Sequence, residues 1–185
     1  ANATSSYITD SDTATGTITD DGTGSDGDDG GSTVDDDRPT LTLSDATMEE
    51  GSALSFSASL SNASAYAEVI TLGTTLGSGS GAADASDFTT TDKSTWTVVH
   101  SGGTISVAAD GSFTLPAGVT SFTIKVPTTS DSVYEGAETF TLTANATSSY
   151  ITDSDTATGT ITDDGTGSDG DDGGSTVDDD RPTLT

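Results

Sequence analysis

Carboxylates are the one reactive side-chain type this sequence supplies in quantity, and they come in short runs. Asp45, Glu49 and Glu50 form one group, and Asp84 with Asp87 another. Asp131, Glu135 and Glu138 follow, then Asp163 and Asp164. Such groups could bind a hard divalent cation. Calcium takes six to eight oxygens and accepts irregular geometry, which suits acids converging from several loops. Magnesium keeps several waters and takes few carboxylates, and zinc wants histidine or cysteine. The chain has one histidine, His100, and no cysteine. Calcium is therefore the cofactor expected. The bland alternative is a solvated acidic surface that keeps the protein soluble.

These acids must be positioned by strands. Apolar residues alternate with Ser and Thr at 53–61 (Leu54, Phe56, Ala58, Leu60), around Phe122, Ile124 and Val126, at Phe140 and Leu142, and at Ala157, Gly159 and Ile161. A period of two marks half-buried strands, and no stretch has a helical period. The expected strands are 40–44, 52–61, 67–76, 112–115, 119–126, 138–144 and 156–162. A hairpin turning at Ser101-Gly102-Gly103 is inserted over 95–107. The fold class expected is all-β, an Ig-like antiparallel sandwich of about seven main strands. Strand direction alternates in such a fold, so the acid-bearing loops and the end of the last strand share one pole. Asp153 and Asp155 alone break this asymmetry, in the connection before the last strand.

The chain has 185 residues, 31 acidic and four basic, for a net charge of -27. That balance repels nucleic acid and anionic membranes. Neither partner is expected, nor is a membrane span, since no apolar run approaches the ~20 residues required.

Residues 1–42 recur without a change at 144–185, an offset of 143 residues. Identical copies at that spacing indicate a tandem array of homogenised repeats. The organisation expected is a partial copy of the preceding repeat at 1–21, an acidic Gly/Asp linker at 22–38, the sandwich at 39–164, and the next linker and strand start at 165–185. The partners expected are neighbouring identical repeats. Asp20 and Asp21 copy Asp163 and Asp164, and Asp35, Asp36 and Asp37 close the linker. These five are candidate ligands of an ion shared between units.

The segment Asp131-Ser-Val-Tyr-Glu135-Gly136-Ala-Glu138-Thr-Phe140, with Gly159-Thr-Ile161-Thr-Asp163-Asp164, Glu49-Glu50-Gly51 and Ser86-Asp87-Phe88, resembles the Calx-beta motif. It is also similar to the Ig-like extender repeats of bacterial RTX adhesins. The resemblance implies calcium at the pole, held by Glu50, Asp87, Asp131, Glu135 and Asp163. It also implies an extracellular protein on a bacterial surface, exported by type I secretion. The sequence departs from the pattern at Phe88, where tyrosine is usual, and in the insertion at 91–111.

No catalytic constellation is present. His100 has no acid nearby in sequence, no serine lies in a nucleophile elbow, and no Gly-rich loop is coupled to lysine. An enzyme and a small-molecule substrate are not expected. The reading is a calcium-stabilised spacer repeat that projects a distal adhesive domain. The competing readings are a ligand-binding adhesive module and a calcium-regulated switch. The strand at 156–162 is expected to be the one its own sandwich uses, in preference to its twin at 13–19. Deleting 144–164 should lower the melting temperature sharply, and deleting 1–21 should leave it nearly unchanged. Equal losses would assign the wrong copy to the fold.

Overall fold

The computed structural model describes residues 13–17, 38–89, 92–130, 136–148 and 150–163. The chain divides into two units, Ala1–Asp37 and Arg38–Thr185. Within the first, residues 13–17 are exposed and lie outside any strand. The second holds the sandwich.

Its strands are β1 (Leu41–Leu43), β2 (Ala46–Glu49), β3 (Ala53–Leu60), β4 (Glu68–Leu76), β5 (Thr97–His100), β6 (Gly103–Ser106), β7 (Ser112–Leu115), β8 (Ser121–Pro127), β9 (Glu138–Thr147) and β10 (Thr152–Thr162). One sheet has the order β1-β3-β8-β5-β6, and the other β2-β10-β9-β4-β7. The all-β sandwich expected from the alternation is the one observed, with the hairpin as β5 and β6 turning at Ser101 and Gly102.

The alternation becomes burial. In β3 every second residue from Leu54 to Leu60 is buried, and the serines between face water. Its inward face meets Ile70, Leu72, Leu142 and Ala144 of the opposite sheet in a single core. Phe56 and Phe140 meet edge to face at 5.9 Å, and Phe88 meets Phe140 at 5.1 Å. Trp96, just before β5, is buried in the core, with the Lys93 ammonium 5.7 Å from its ring centroid. His100 accepts the Gly102 N–H at Nδ1, which fixes the hairpin turn.

The strand expected at 40–44 is β1, and a second strand that was not expected follows it. The chain pairs with β3 as β1, crosses at Ser44 and Asp45, and pairs with β10 as β2. β2 was not expected, because Ala46-Thr-Met-Glu49 has no alternation. The β2–β10 pairing is parallel, while the other strand pairs are antiparallel.

Gly159 sits directly against the aromatic cluster. A Cβ there would lie 2.5 Å from Phe140 Cε1 and 2.8 Å from Phe56 Cζ. Gly159→Ala should therefore overpack the core and cost roughly 1–3 kcal/mol. The check is urea unfolding, with a lower midpoint at an unchanged m value. A midpoint equal to that of the parent would mean the rings yield freely.

Candidate metal centre

Backbone hydrogen bonds and strand pairings bring the segments of the acidic pole together. Thr162 is in register with Glu49, and the Glu50 N–H donates to the Thr162 carbonyl at 2.8 Å. Glu138, at the start of β9, is in register with Ile161. The β4–β5 connection joins in through the Ala82–Thr139 and Phe88–Thr128 bridges, and the Thr129 N–H donates to the Asp87 carbonyl at 2.9 Å. Thr128 Oγ1 donates to the Ser52 carbonyl at 2.7 Å, which ties the turn after β2 to the end of β8. That turn needs glycine for two reasons. Gly51 has φ +73°, and a Cβ there would lie 2.7 Å from the Ser130 Cβ.

Glu49, Glu50, Asp87, Glu138 and Asp163 thus lie on segments that meet at this pole. Glu50 and Asp87 are buried, at 8% and 7% exposure, Glu138 and Asp163 are half-buried, and Glu49 is exposed. The Asp84 N–H donates to Asp87 Oδ2 at 2.5 Å. Asp84 is exposed and already serves a turn, its Oδ1 accepting both the Ser86 N–H and the Ser86 hydroxyl. The donor chemistry at the pole is all oxygen, which fits a hard cation. Among the described residues, however, no group of three or more His, Cys, Asp or Glu side chains is placed to hold a metal ion. Asp131, Glu135, Asp164, Asp20, Asp21, Asp35, Asp36 and Asp37 lie outside the described residues.

Two expectations about the acids need correction. Asp45 is not at the pole. It stands at the crossing between β1 and β2, where its Oδ1 accepts the Thr158 N–H at 2.7 Å. Asp153 and Asp155 are not in a loop. They belong to β10, and their Oδ2 atoms accept the Leu41 and Leu43 N–H groups, each at 2.7 Å. β1 belongs to the other sheet, so no backbone ladder reaches those amides from this side, and the two carboxylates satisfy them instead.

The opposite pole holds an acid the sequence reading passed over. Glu68 is 1% exposed, its Oε1 accepts the Ser64 hydroxyl at 2.5 Å, and its Oε2 is buried with no hydrogen-bond partner among the described residues. The signal was present, since Glu68 is in phase with Ile70 and Leu72 on the inward face of β4. Nearby, Tyr66 and Tyr150 stack with centroids 4.1 Å apart. The Tyr150 hydroxyl is pushed above its usual 10.0, first by its hydrogen bond with Tyr66, then by the Tyr66 charge, by burial, and by the Glu68 charge.

No family model matches the sequence, and no curated relative matches it. Among solved structures the chain is similar to an apo-form Calx CBD1 domain, at 20% identity and TM-score 0.48, covering 68% of this chain and 97% of that one. It is similar to CBD12 from CALX1.2, at 16% identity and TM-score 0.47, over 68% and 45% of the two chains. A bacterial hydrophobin, BslA, matches at 19% identity and TM-score 0.31, over 67% and 90%.

Three Asp-x-Ser turns share one design. Asp84, Asp92 and Asp110 each accept the hydroxyl and the N–H of the serine two residues on. The serine hydroxyl first, and the N–H second, hold all three carboxyls below the usual 3.8. A carboxyl lowered on folding stabilises the fold above its unfolded pKa, and that contribution is lost as pH falls through the folded value. The melting-temperature difference between the parent and an Asp84→Asn/Asp92→Asn/Asp110→Asn variant should therefore be constant above about pH 5 and shift against the parent below about pH 4. Parallel thermal melts across that range check it. A difference that does not change with pH would mean the turns are equally strong with either side chain.

Proposed function

We infer that this chain is a calcium-stabilised spacer repeat, one unit of a tandem array that holds a distal adhesive domain away from a bacterial cell. The observation that carries the reading is geometric. Leu41 is in register with Leu60 at the end of β3, so the chain enters the sandwich at the pole opposite the acids. It leaves through Thr162, at the acidic pole. Units with entrance and exit at opposite poles string end to end, and the identical copies at an offset of 143 residues supply the string. Each unit then adds at least the length of β10. Its 11 residues span roughly 36 Å at about 3.3 Å per residue.

Calcium is proposed at the exit pole. Glu50, Asp87, Glu138 and Asp163 are the described acids on segments that meet there, and Glu49 stands beside them. Asp131 and Glu135 lie on the connection between Ser130 and Gly136, which joins two described segments of the same pole. Asp164 continues from Asp163, and the linker acids Asp35, Asp36 and Asp37, which lead into this unit, would serve the exit pole of the preceding one. The Asp84 side chain is engaged by Ser86 and is a weaker candidate ligand. The extracellular bacterial setting and type I export come from the resemblance of the motif. Neither catalysis nor a nucleic-acid, membrane or small-molecule partner is part of the proposal.

One observation favours the ligand-binding alternative. Tyr66 and Tyr150, 54% and 47% exposed, present a stacked aromatic face of the kind that binding modules use. Substituting both with alanine should leave calcium stabilisation intact under the spacer reading.

An ion that binds only the folded state stabilises it by about 2.7 kcal/mol at a hundred times its dissociation constant. Calcium at millimolar concentration should therefore raise the melting temperature of this chain by several degrees, and magnesium at equal concentration by much less. A chain of several repeats should give extended, stiff scattering profiles with calcium and more variable ones with chelator. Melting curves that chelator leaves unchanged would end the calcium reading.

A further inference from the structure

The first and last strands run side by side in the same direction for their whole common length. Leu41 and Leu43 donate to Asp153 and Asp155, and Thr158 donates to Asp45. Ala46 to Glu49 then pair with Gly159 to Thr162, and the Glu50 N–H closes the seam on the Thr162 carbonyl. The partner numbers keep a nearly constant difference, 112 at Leu41 and Leu43 and 113 at Gly159. Two strands of one parallel pair therefore carry both ends of the domain. One is bound by side chains where it belongs to the other sheet, and by backbone where it has crossed over.

The geometry points to a load-bearing function, with this seam as a mechanical clamp. The inference rests on the spacer reading, since only a tether is under tension. Tension enters at Arg38, before β1, and leaves at Asp163, after β10, at opposite poles. It pulls β1 and β2 one way and β10 the other, along their common axis. Bonds that lie across that axis are then strained together and must break together. In a hairpin pulled open from its mouth they break one at a time. The crossing at Ser44 and Asp45 would leave the first half of the seam without bonds, because β1 pairs backbone to backbone only with β3 on its other side. Asp153, Asp155 and Asp45 fill that gap. Each supplies a charged acceptor to a backbone N–H, a stronger bond than a neutral pair makes. The earlier copy of this segment in the sequence keeps Asp10 and Asp12 where Asp153 and Asp155 stand, so the two acids of the seam recur with the repeat.

The test is single-molecule force spectroscopy on the full chain, pulled along two axes. The first axis runs between the two termini. The second runs from the N-terminus to position 101 in a Ser101→Cys variant, a unique handle because the chain has no cysteine. Ser101 follows His100, which is in register with Phe122 at the start of β8, so it lies at the entrance pole. That axis peels β1 from its end and does not shear the seam. The parent chain should withstand several-fold higher force along the terminal axis than along the peeling axis. Asp153→Ala/Asp155→Ala should raise the unfolding rate at fixed terminal tension by about tenfold for each lost bond, with a much smaller change on the peeling axis. Equal resistance along both axes in the parent would overturn the clamp, whether or not the variant folds. So would an equal loss along both axes in the variant. Scattering from a multi-repeat chain separates the two readings. An extended array with no difference between axes removes the clamp and leaves the spacer, whereas a compact array removes the spacer itself.

Discussion

At Ser44 and Asp45 the first strand leaves one sheet and joins the other, and much of the remaining architecture follows from that crossing. Because β1 pairs with β3, the chain must enter at the pole where β3 ends. Because β2 pairs in parallel with β10, Glu49 must stop level with Thr162 at the far pole. The two ends of the domain are thereby separated by its full length. A crossing also exposes backbone donors that neither sheet can satisfy, and an unpaired buried amide costs about as much as a lost hydrogen bond. Asp45 lies at the crossing, and Asp153 and Asp155 lie directly across from the donors. Those three positions thus follow from the topology, with no need to invoke a metal.

The acids of this chain consequently divide by the work they do. Asp84, Asp92 and Asp110 build local turns with the serines that follow them. Asp45, Asp153 and Asp155 hold the terminal strands together. Glu50 and Asp87 are buried at the exit pole, beside Glu138 and Asp163. A net charge of -27 is therefore a poor count of metal ligands. A carboxylate that accepts two N–H or O–H donors within its own turn has little left for an ion. The pole differs because its segments are brought together by backbone bonds such as Glu50 to Thr162 and Thr129 to Asp87.

Much of this was legible in the sequence because burial on one face enforces a period of two. β3, β8 and β9 show that period plainly, and the Gly-Gly at 102 and 103 marked the β5–β6 hairpin. Alternating strand direction was enough to put Glu49, Glu50, Asp87, Glu138 and Asp163 at one pole. β2 was not legible, because its residues run half-buried and then exposed, and its pairing is set by β10. The roles of Asp45, Asp153 and Asp155 were hidden for a related reason. Whether an acid next to a strand caps a distant amide depends on which sheet that amide's strand joins, and no local pattern carries that information. Glu68 was legible by phase alone, since it shares a face with Ile70 and Leu72, yet a glutamate at the first position of a strand reads as a boundary.

The seam and the acidic pole are parts of one structural feature. The last backbone bond of the seam joins Glu50 to Thr162, and the next residue on β10's side is Asp163. An ion held between the carboxylates of Glu50 and Asp163 would therefore continue the seam one step beyond its final hydrogen bond, across the same two strands. Calcium would then act on stability and on resistance to tension through a single place. It would neutralise charge where the loops converge, and it would add a cross-link loaded along the same axis as the bonds of Asp153, Asp155 and Asp45. In a long array, every unit feels the same tension, and the weakest one decides when the tether lengthens. Under the spacer reading, units that share the seam strand and linker residue for residue would share their strength there too, which gives a physical reason for the identity of 1–42 with 144–185.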